Sequence, residues 1–265
     1  MIKRAFTLAE ILISMVIIGV ISILMVPVIQ NSQDKALEVG TAHFHSMMTQ
    51  AIRHYLVDNG VESLCDKKMC FKPASNSETG TYFNRTRDEV DDFMYKYLHV
   101  AKVCSYDDRY DCVSQTIKTL DGNKISPEFT RKLIYNFDNS TSRSTYSLGS
   151  TMKFYVLENG NTIYMLPPTN IRPAVLQVDI NGKKGPNRVG RDIWAMSIYA
   201  DGTVSEGLHR FIMKESYRSN PSQMKSAREN LKNDRYNSCR NNYDVYKYGA
   251  GCFAKFEDNG FKFDY

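Results

Sequence analysis

From Ile11 to Ile29 the chain carries no charged residue. Ser14 and Ser22 are the polar interruptions of this run, and Gly19 and Pro27 its backbone irregularities. As a helix, Phe6 to Ile29 would run roughly 36 Å at 1.5 Å per residue. That suffices to cross a hydrocarbon core of about 30 Å. A cleaved secretory signal would have a shorter apolar region followed by a small-x-small cleavage site. Here the run is longer and ends in Pro-Val-Ile-Gln. Lys3 and Arg4, in front of it, suit a signal anchor held by the positive-inside bias.

An anchor leaves Glu10 unexplained. A carboxylate at the edge of an apolar helix can snorkel to the interface. One placed deeper costs ~2.5–3.5 kcal/mol on insertion scales and is then usually paired. If the chain were cut between Ala5 and Phe6, the new α-amino group would lie one helical turn from Glu10. Axially shifted copies could then pair the amine of one with Glu10 of the next, which turns a costly charge into an assembly register.

Ala5-Phe6-Thr7-Leu8-Ala9-Glu10, followed by the apolar run, resembles the cleavage signature of type IV prepilins and type II secretion pseudopilins. The resemblance is close over about thirty residues and loose beyond them. It implies cleavage by a prepilin peptidase at Ala5–Phe6, N-methylation of Phe6, and an assembly carboxylate at Glu10. Ala5 departs from the family's usual Gly. Gly19 and Pro27 fall where members often carry a helix-weakening Gly and a kinking Pro. The implied location is the bacterial inner membrane, single-pass, with the C-terminal domain outside the cytoplasm, and then an extracytoplasmic filament. The implied partners are the peptidase, other pilins or pseudopilins, membrane lipid before assembly, and a platform protein with its cytoplasmic ATPase.

The fold class expected is α+β, a long membrane-spanning helix packed against a small antiparallel sheet, as in pilins. Residues 1–5 would be the leader, 6–30 the membrane and assembly helix, and 31–60 its amphipathic continuation. Leu37, Phe44, Met48, Ile52 and Tyr55 recur on one helical face, and Asn59-Gly60 is the stop. Residues 61–150 form a less readable insert, in which Val90, Phe93, Met94, Tyr97 and Leu98 mark a second helix. Residues 151–265 hold the sheet. Met152–Leu157 and Thr162–Leu166 flank Glu158-Asn159-Gly160-Asn161, a strong hairpin cue. Val175–Ile180 and Ile193–Tyr199 follow, Val204 begins a short return, and three or four antiparallel strands are expected. Gln223–Lys232 reads as a short exposed helix. Phe253–Phe256 and Phe261–Tyr265 read as a final hairpin about Asp258-Asn259-Gly260, or alternatively as a helix ending at Asn259 and a terminal strand.

Residues 179–192, DINGKKGPNRVGRD, resemble a DxNGxxGPNxxGxD loop common in bacterial pseudopilin-like proteins. Asp179, Asn181, Asn187 and Asp192 offer oxygens, and calcium takes six to eight from a flexible loop. Lys183, Lys184, Arg188 and Arg191 oppose a cation, and an EF-hand Glu is absent. A turn self-bonded through Asx motifs is the preferred reading, and no cofactor is required.

Six cysteines form three close pairs, Cys65/Cys70, Cys104/Cys112 and Cys239/Cys252. Fifteen pairings exist, of which the local one is the simplest and suits an oxidising space. The last pair also resembles the disulfide-closed C-terminal loop of many pilins. A zinc site is the rival, but no C-x-x-C occurs, and His43, His45 and His54 lie on the helix. The formal net charge of +5 falls to +3 without Lys3 and Arg4, with opposite charges mixed along the chain. That is not a nucleic-acid-type balance. A DNA-capturing tethered module would use Lys183–Arg191 and Lys214–Arg240. No phosphate loop, G-x-S-x-G or H-E-x-x-H occurs, and Asp91-Asp92 and Asp107-Asp108 read as solvated helix or turn residues, so an enzyme is not expected.

Overall fold

The first helix, α1 (Leu8–Asn59), is continuous for 52 residues. No Pro or Gly falls between Val28 and Val39, so nothing stops it where the apolar run gives way to polar residues. Pro27 lies inside it. Proline lacks the N–H that would bond the carbonyl one turn earlier, yet the helix passes through. It ends at Gly60, which adopts the left-handed conformation at φ 61° and donates its N–H to the last turn. Only glycine enters that region without steric cost. A computed structural model describes residues 7–66, 69–70, 79–105, 107–124, 153–166, 174–206, 219–233, 239 and 250–264.

Two halves of α1 meet different surroundings. Every residue from Leu8 to Gln33 is exposed. From Leu37 onward one face is buried, through Thr41, Phe44, Met48, Ala51, Ile52 and Tyr55. Leu37, Phe44, Met48, Ile52 and Tyr55 are the positions that the helical spacing predicts, and Thr41 and Ala51 join them on the same face. Fully burying such a side chain contributes about 1.5–3 kcal/mol, which is what holds the outer half of α1 to the domain.

That domain is built on one antiparallel sheet. Its strands are β1 (Val100–Ser105), β2 (Lys153–Leu157), β3 (Thr162–Leu166), β4 (Ala174–Asp179), β5 (Ile193–Ile198) and β6 (Val204–Glu206). They lie in sequence order, each paired with the next. The architecture is therefore α+β, a long N-terminal helix packed on an antiparallel sheet. Among the described residues the sheet has six strands rather than three or four. β1 is the addition, and it comes from the stretch read as an insert. Only Cys104 of its six residues is buried, so it lacks the apolar alternation that marks a strand. Gly160 closes the β2–β3 hairpin at φ 90°.

A second helix, α2 (Thr79–Tyr97), packs on α1. Val90, Phe93, Met94 and Leu98 are buried there, as their spacing predicts. Asp91 is not a solvated residue: Lys153 and the Tyr155 hydroxyl both bond its carboxylate, which ties α2 to β2. After β6 come α3 (Pro221–Asn233) and α4 (Ala250–Asp258). Of the two readings of the tail, a hairpin or a helix ending at Asn259, the helix is the one that forms, and it ends at Asp258. Cys252, Phe253 and Phe256 are all fully buried, a spacing that suits one helical face and not the alternation of a strand. No terminal strand follows among the described residues.

The tail closes the junction between helix and sheet. Trp194 of β5 packs against Phe253, Phe256 and Phe263 and donates its indole N–H to Thr41 Oγ1 at 3.1 Å. Phe263 N–H donates to Glu38 Oε1 at 2.7 Å. Both α1 partners lie at the base of its buried face. The cysteines pair locally, 65 with 70, 104 with 112 and 239 with 252.

Candidate functional site

Two regions carry the residues singled out by sequence, the head of α1 and the glycine-rich loop at its middle. Ala5 and Phe6 lie outside the described residues. Thr7 opens the helix as its N-cap, and Glu10 is bound to it. The Thr7 backbone N–H and hydroxyl both donate to Glu10 Oε2 at 2.8 Å, while Glu10 N–H donates to Thr7 Oγ1 at 3.3 Å. This is a reciprocal capping box, which satisfies helix-end donors that have no partner within the helix. Thr7-Leu8-Ala9-Glu10 fits the S/T-x-x-E spacing, a signal that reading Glu10 only as an assembly carboxylate passes over. The capping box gives Glu10 a local partner; it does not supply an opposite charge.

Below Glu10 the helix is an apolar rod without a partner among the described residues. Ser14 and Ser22 turn their hydroxyls back onto the carbonyls of Glu10 and Ile18, at 2.7 Å each. Their polarity is thereby absorbed within the helix. Gly19 has open space where a Cβ would stand, and Pro27 sits eight residues on. By length and composition this helix is a membrane-span candidate.

The loop between β4 and β5 folds around Asp192. Asn187 N–H donates to Asp192 Oδ2 at 2.7 Å and Arg188 N–H to Oδ1 at 2.6 Å. Asp179 receives Asn181 N–H at 3.3 Å, and Asn181 Nδ2 donates to the Gly185 carbonyl at 2.9 Å. Asn187 takes φ 52° and Gly182 and Gly190 take positive φ as well, so the loop turns sharply on itself. The sequence set Asp179, Asn181, Asn187 and Asp192 is thus brought together, but as the scaffold of a turn. Both Asp192 oxygens already face backbone donors, and a calcium ion would have to compete with those N–H groups for them. Among the described residues no group of three His, Cys, Asp or Glu is placed to hold a metal. The self-bonded turn accounts for the placement of these residues.

Burial sets the ionisation of this pair. Asp192 is fully buried, and loss of solvation pushes its carboxyl up to about 6, against the pull of the two backbone N–H groups. Asp179 is pushed well above the usual carboxylate range by burial and then by the neighbouring Asp192 charge. A folded-state pKa above the unfolded value of about 3.9 means that folding favours the neutral acid. That contribution is complete below about pH 4 and is lost as pH rises through about 6. We therefore expect the unfolding midpoint of the wild-type chain to carry a component, on the order of 2 kcal/mol, that falls over this window. Asp192→Asn should remove that component, which denaturant titrations of both chains from pH 4 to pH 7 will read. An unchanged pH slope in the variant contradicts it.

Sequence reasoning also passes over what this loop touches. Lys118 N–H donates to Asn187 O at 2.8 Å and Val189 N–H to Lys118 O at 3.0 Å. Residues 117–124 are thereby stitched to the loop, although Lys118 and Arg188 are seventy positions apart in sequence. Arg191 pairs with Asp34 of α1 at 3.6 Å and lies over the Phe263 ring at 4.3 Å. Ile180 meets Gly40, where an added Cβ would stand 2.9 Å from Ile180 Cγ2. Gly40 is the close-approach point of helix and loop. The other basic stretch, Lys214–Arg240, is described from 219 to 233 and at 239. There Arg228 and Lys232 are engaged with Glu257 and Asp258, and with Glu229. His45 bonds the Val204 carbonyl at 2.9 Å and does not converge with His43 or His54 on a cysteine.

Compared with known proteins, the chain matches no family model, no curated protein and no solved structure.

Proposed function

We propose that this chain is a prepilin-type subunit, inserted in a membrane by α1, trimmed before Phe6, and assembled into a filament of the type IV pilus or type II secretion kind. One observation carries the reading. A single helix is apolar and wholly exposed from Ile11 to Ile29, and from Leu37 onward it is the core element of a folded domain. Such a helix has two successive environments available to it. In lipid its backbone is satisfied internally and its side chains are solvated by acyl chains. In a bundle of like helices the same side chains pack against neighbours. The domain stays folded in both, because its own core does not use residues before Leu37. Transfer between the two states therefore needs no unfolding of the domain.

The Glu10 carboxylate supplies the register. In lipid it is capped by Thr7 at the helix head. In the filament, the α-amino group of Phe6 from an adjacent subunit supplies the opposite charge that the capping box lacks. The chain's role is mechanical, and the work of extension comes from a separate ATPase.

Intact mass of the chain purified from membranes tests the reading. The expected mass lacks residues 1–5, gains one methyl group, and lacks the six hydrogens of three disulfides. A mature chain that retains Met1, or one cut after the apolar run, overturns it.

A further inference from the structure

We infer that the loops 181–191 and 117–124 form a basic patch that rests on the membrane and binds anionic phospholipid headgroups while the subunit is inserted. The inference depends on α1 spanning a membrane, as proposed above. The argument begins with height. The apolar run ends at Ile29, and Asp34 is five residues beyond, about 7.5 Å along a helix. The headgroup layer is about 5–8 Å deep on each side of the hydrocarbon core. Arg191 is paired to Asp34, which holds the glycine-rich loop at that level.

Charge is the second observation. Lys183 and Lys184 are exposed at the loop tip, and Lys124 is exposed on the neighbouring loop. Lys118 and Arg188 are half-buried between the two loops, which pair through Lys118 and Arg188 themselves. Against the six cations Lys118, Lys124, Lys183, Lys184, Arg188 and Arg191 stand four carboxylates on the same segments, Asp34, Asp121, Asp179 and Asp192. Arg191 is paired with Asp34. The patch therefore keeps a positive excess.

Shape is the third. Between α1 and the loop runs a cleft of about 910 Å³, lined by Gln30, Gln33 and Asp34 on one wall and by Asn181, Arg188 and Arg191 on the other. It opens one turn above the apolar rod. A phospholipid can place its phosphate among these donors and lay its acyl chains along α1 below. Arg188 Nε is buried there without a hydrogen-bond partner among the described residues. Arg recognises phosphate oxygens by direct N–H donation. Nucleic acid would meet the same cations, but its phosphates would have to enter a patch that faces the bilayer.

The test uses the full chain in nanodiscs, of phosphatidylcholine alone or mixed with phosphatidylglycerol. Lysines are acetylated by a water-soluble reagent and read by mass spectrometry, with exposed Lys225 of α3 as the internal control. Lys183, Lys184 and Lys124 should react at least about fivefold more slowly in the anionic discs, since each juxtamembrane cation gains roughly that factor at an anionic surface. High salt should restore the rate. In a Lys183→Gln, Lys184→Gln chain, insertion should persist and the protection of Lys124 should fall. Equal rates in the two kinds of disc, with the chain still resistant to carbonate extraction, overturn the headgroup site and leave the span intact. Release by carbonate overturns the span and this inference with it. Protection by duplex DNA in the neutral discs, equal to that by anionic lipid, assigns the patch to nucleic acid and overturns the lipid reading.

Discussion

Glu10→Gln is expected to insert in the membrane and to be trimmed like the wild-type chain, yet to enter filaments more than tenfold less. Glutamine keeps the capping box, since its side-chain carbonyl can accept from Thr7 as the carboxylate does. It removes only the charge. Breaking a buried ion pair from one side leaves an uncompensated partner and costs about 3–5 kcal/mol, and each 1.4 kcal/mol is about tenfold in an equilibrium. Thr7→Ala makes the opposite change. It deletes the cap, worth about 1 kcal/mol, and leaves the charge at the helix head. Filament incorporation of Thr7→Ala should stay within about fivefold of wild type, since the cap is worth about 1 kcal/mol. The two roles of Glu10 thus predict opposite rankings. If Glu10 were only a capping residue, Thr7→Ala would assemble worse than Glu10→Gln. Quantifying sheared filaments against membrane-retained chain, for both variants, decides between them.

The parts of the fold that the sequence makes legible are those with a strong local period. Leu37, Phe44, Met48, Ile52 and Tyr55 repeat on one face of α1, and all are buried. The Asn-Gly turn between β2 and β3 is equally plain, because few residues accept its backbone. What stayed hidden depends on contacts between distant segments. β1 is an edge strand with one buried residue, and it becomes a strand only because β2 offers a ladder to pair with. The terminal segment carries Phe at 253, 256, 261 and 263. The Asp258-Asn259-Gly260 turn leaves either a hairpin or a helix ending at Asn259 open there. The helix wins because Cys252, Phe253 and Phe256 all face inward against Trp194 and the Cys239 bridge. The glycine-rich loop shows the same division. Its Asx bonding to Asp179 and Asp192 follows from residue types close in sequence. Its pairing with Lys118 and its tie to Asp34 do not, since neither partner carries any local mark of the contact.

The Cys239–Cys252 bridge sits where those long-range contacts converge, so removing it should have the largest effect on stability. Its loop spans 13 residues, against 8 for Cys104–Cys112 and 5 for Cys65–Cys70. In the chain-entropy account these closures are worth about 2.9, 2.5 and 2.1 kcal/mol, too close to rank by entropy alone. Packing separates the C-terminal pair from Cys65–Cys70; Cys104 and Cys112 are buried as well but lie outside the main core cluster. Cys239 and Cys252 are both buried in the main core with Trp194, Phe253 and Phe256. Gly190 of the glycine-rich loop approaches so closely that a Cβ there would stand 2.8 Å from Cys252 Sγ. The bridge therefore clamps α4 beneath the loop that meets α1. Cys239→Ala with Cys252→Ala should lower the stability of the full chain by about 4 kcal/mol, the closure term plus a core-packing loss of about 1 kcal/mol. The Cys65→Ala, Cys70→Ala chain should lose about 2 kcal/mol, because Cys65 is only half-buried and the bridge closes a short surface turn. Denaturant unfolding of both double variants in detergent gives the comparison. The expected order is a larger loss for the C-terminal pair, accompanied by faster proteolysis within residues 181–191, where the loop rests on the missing sulfur. Equal losses for the two pairs, with the loop equally resistant, would show that the bridge acts on the unfolded chain alone and does not brace the junction.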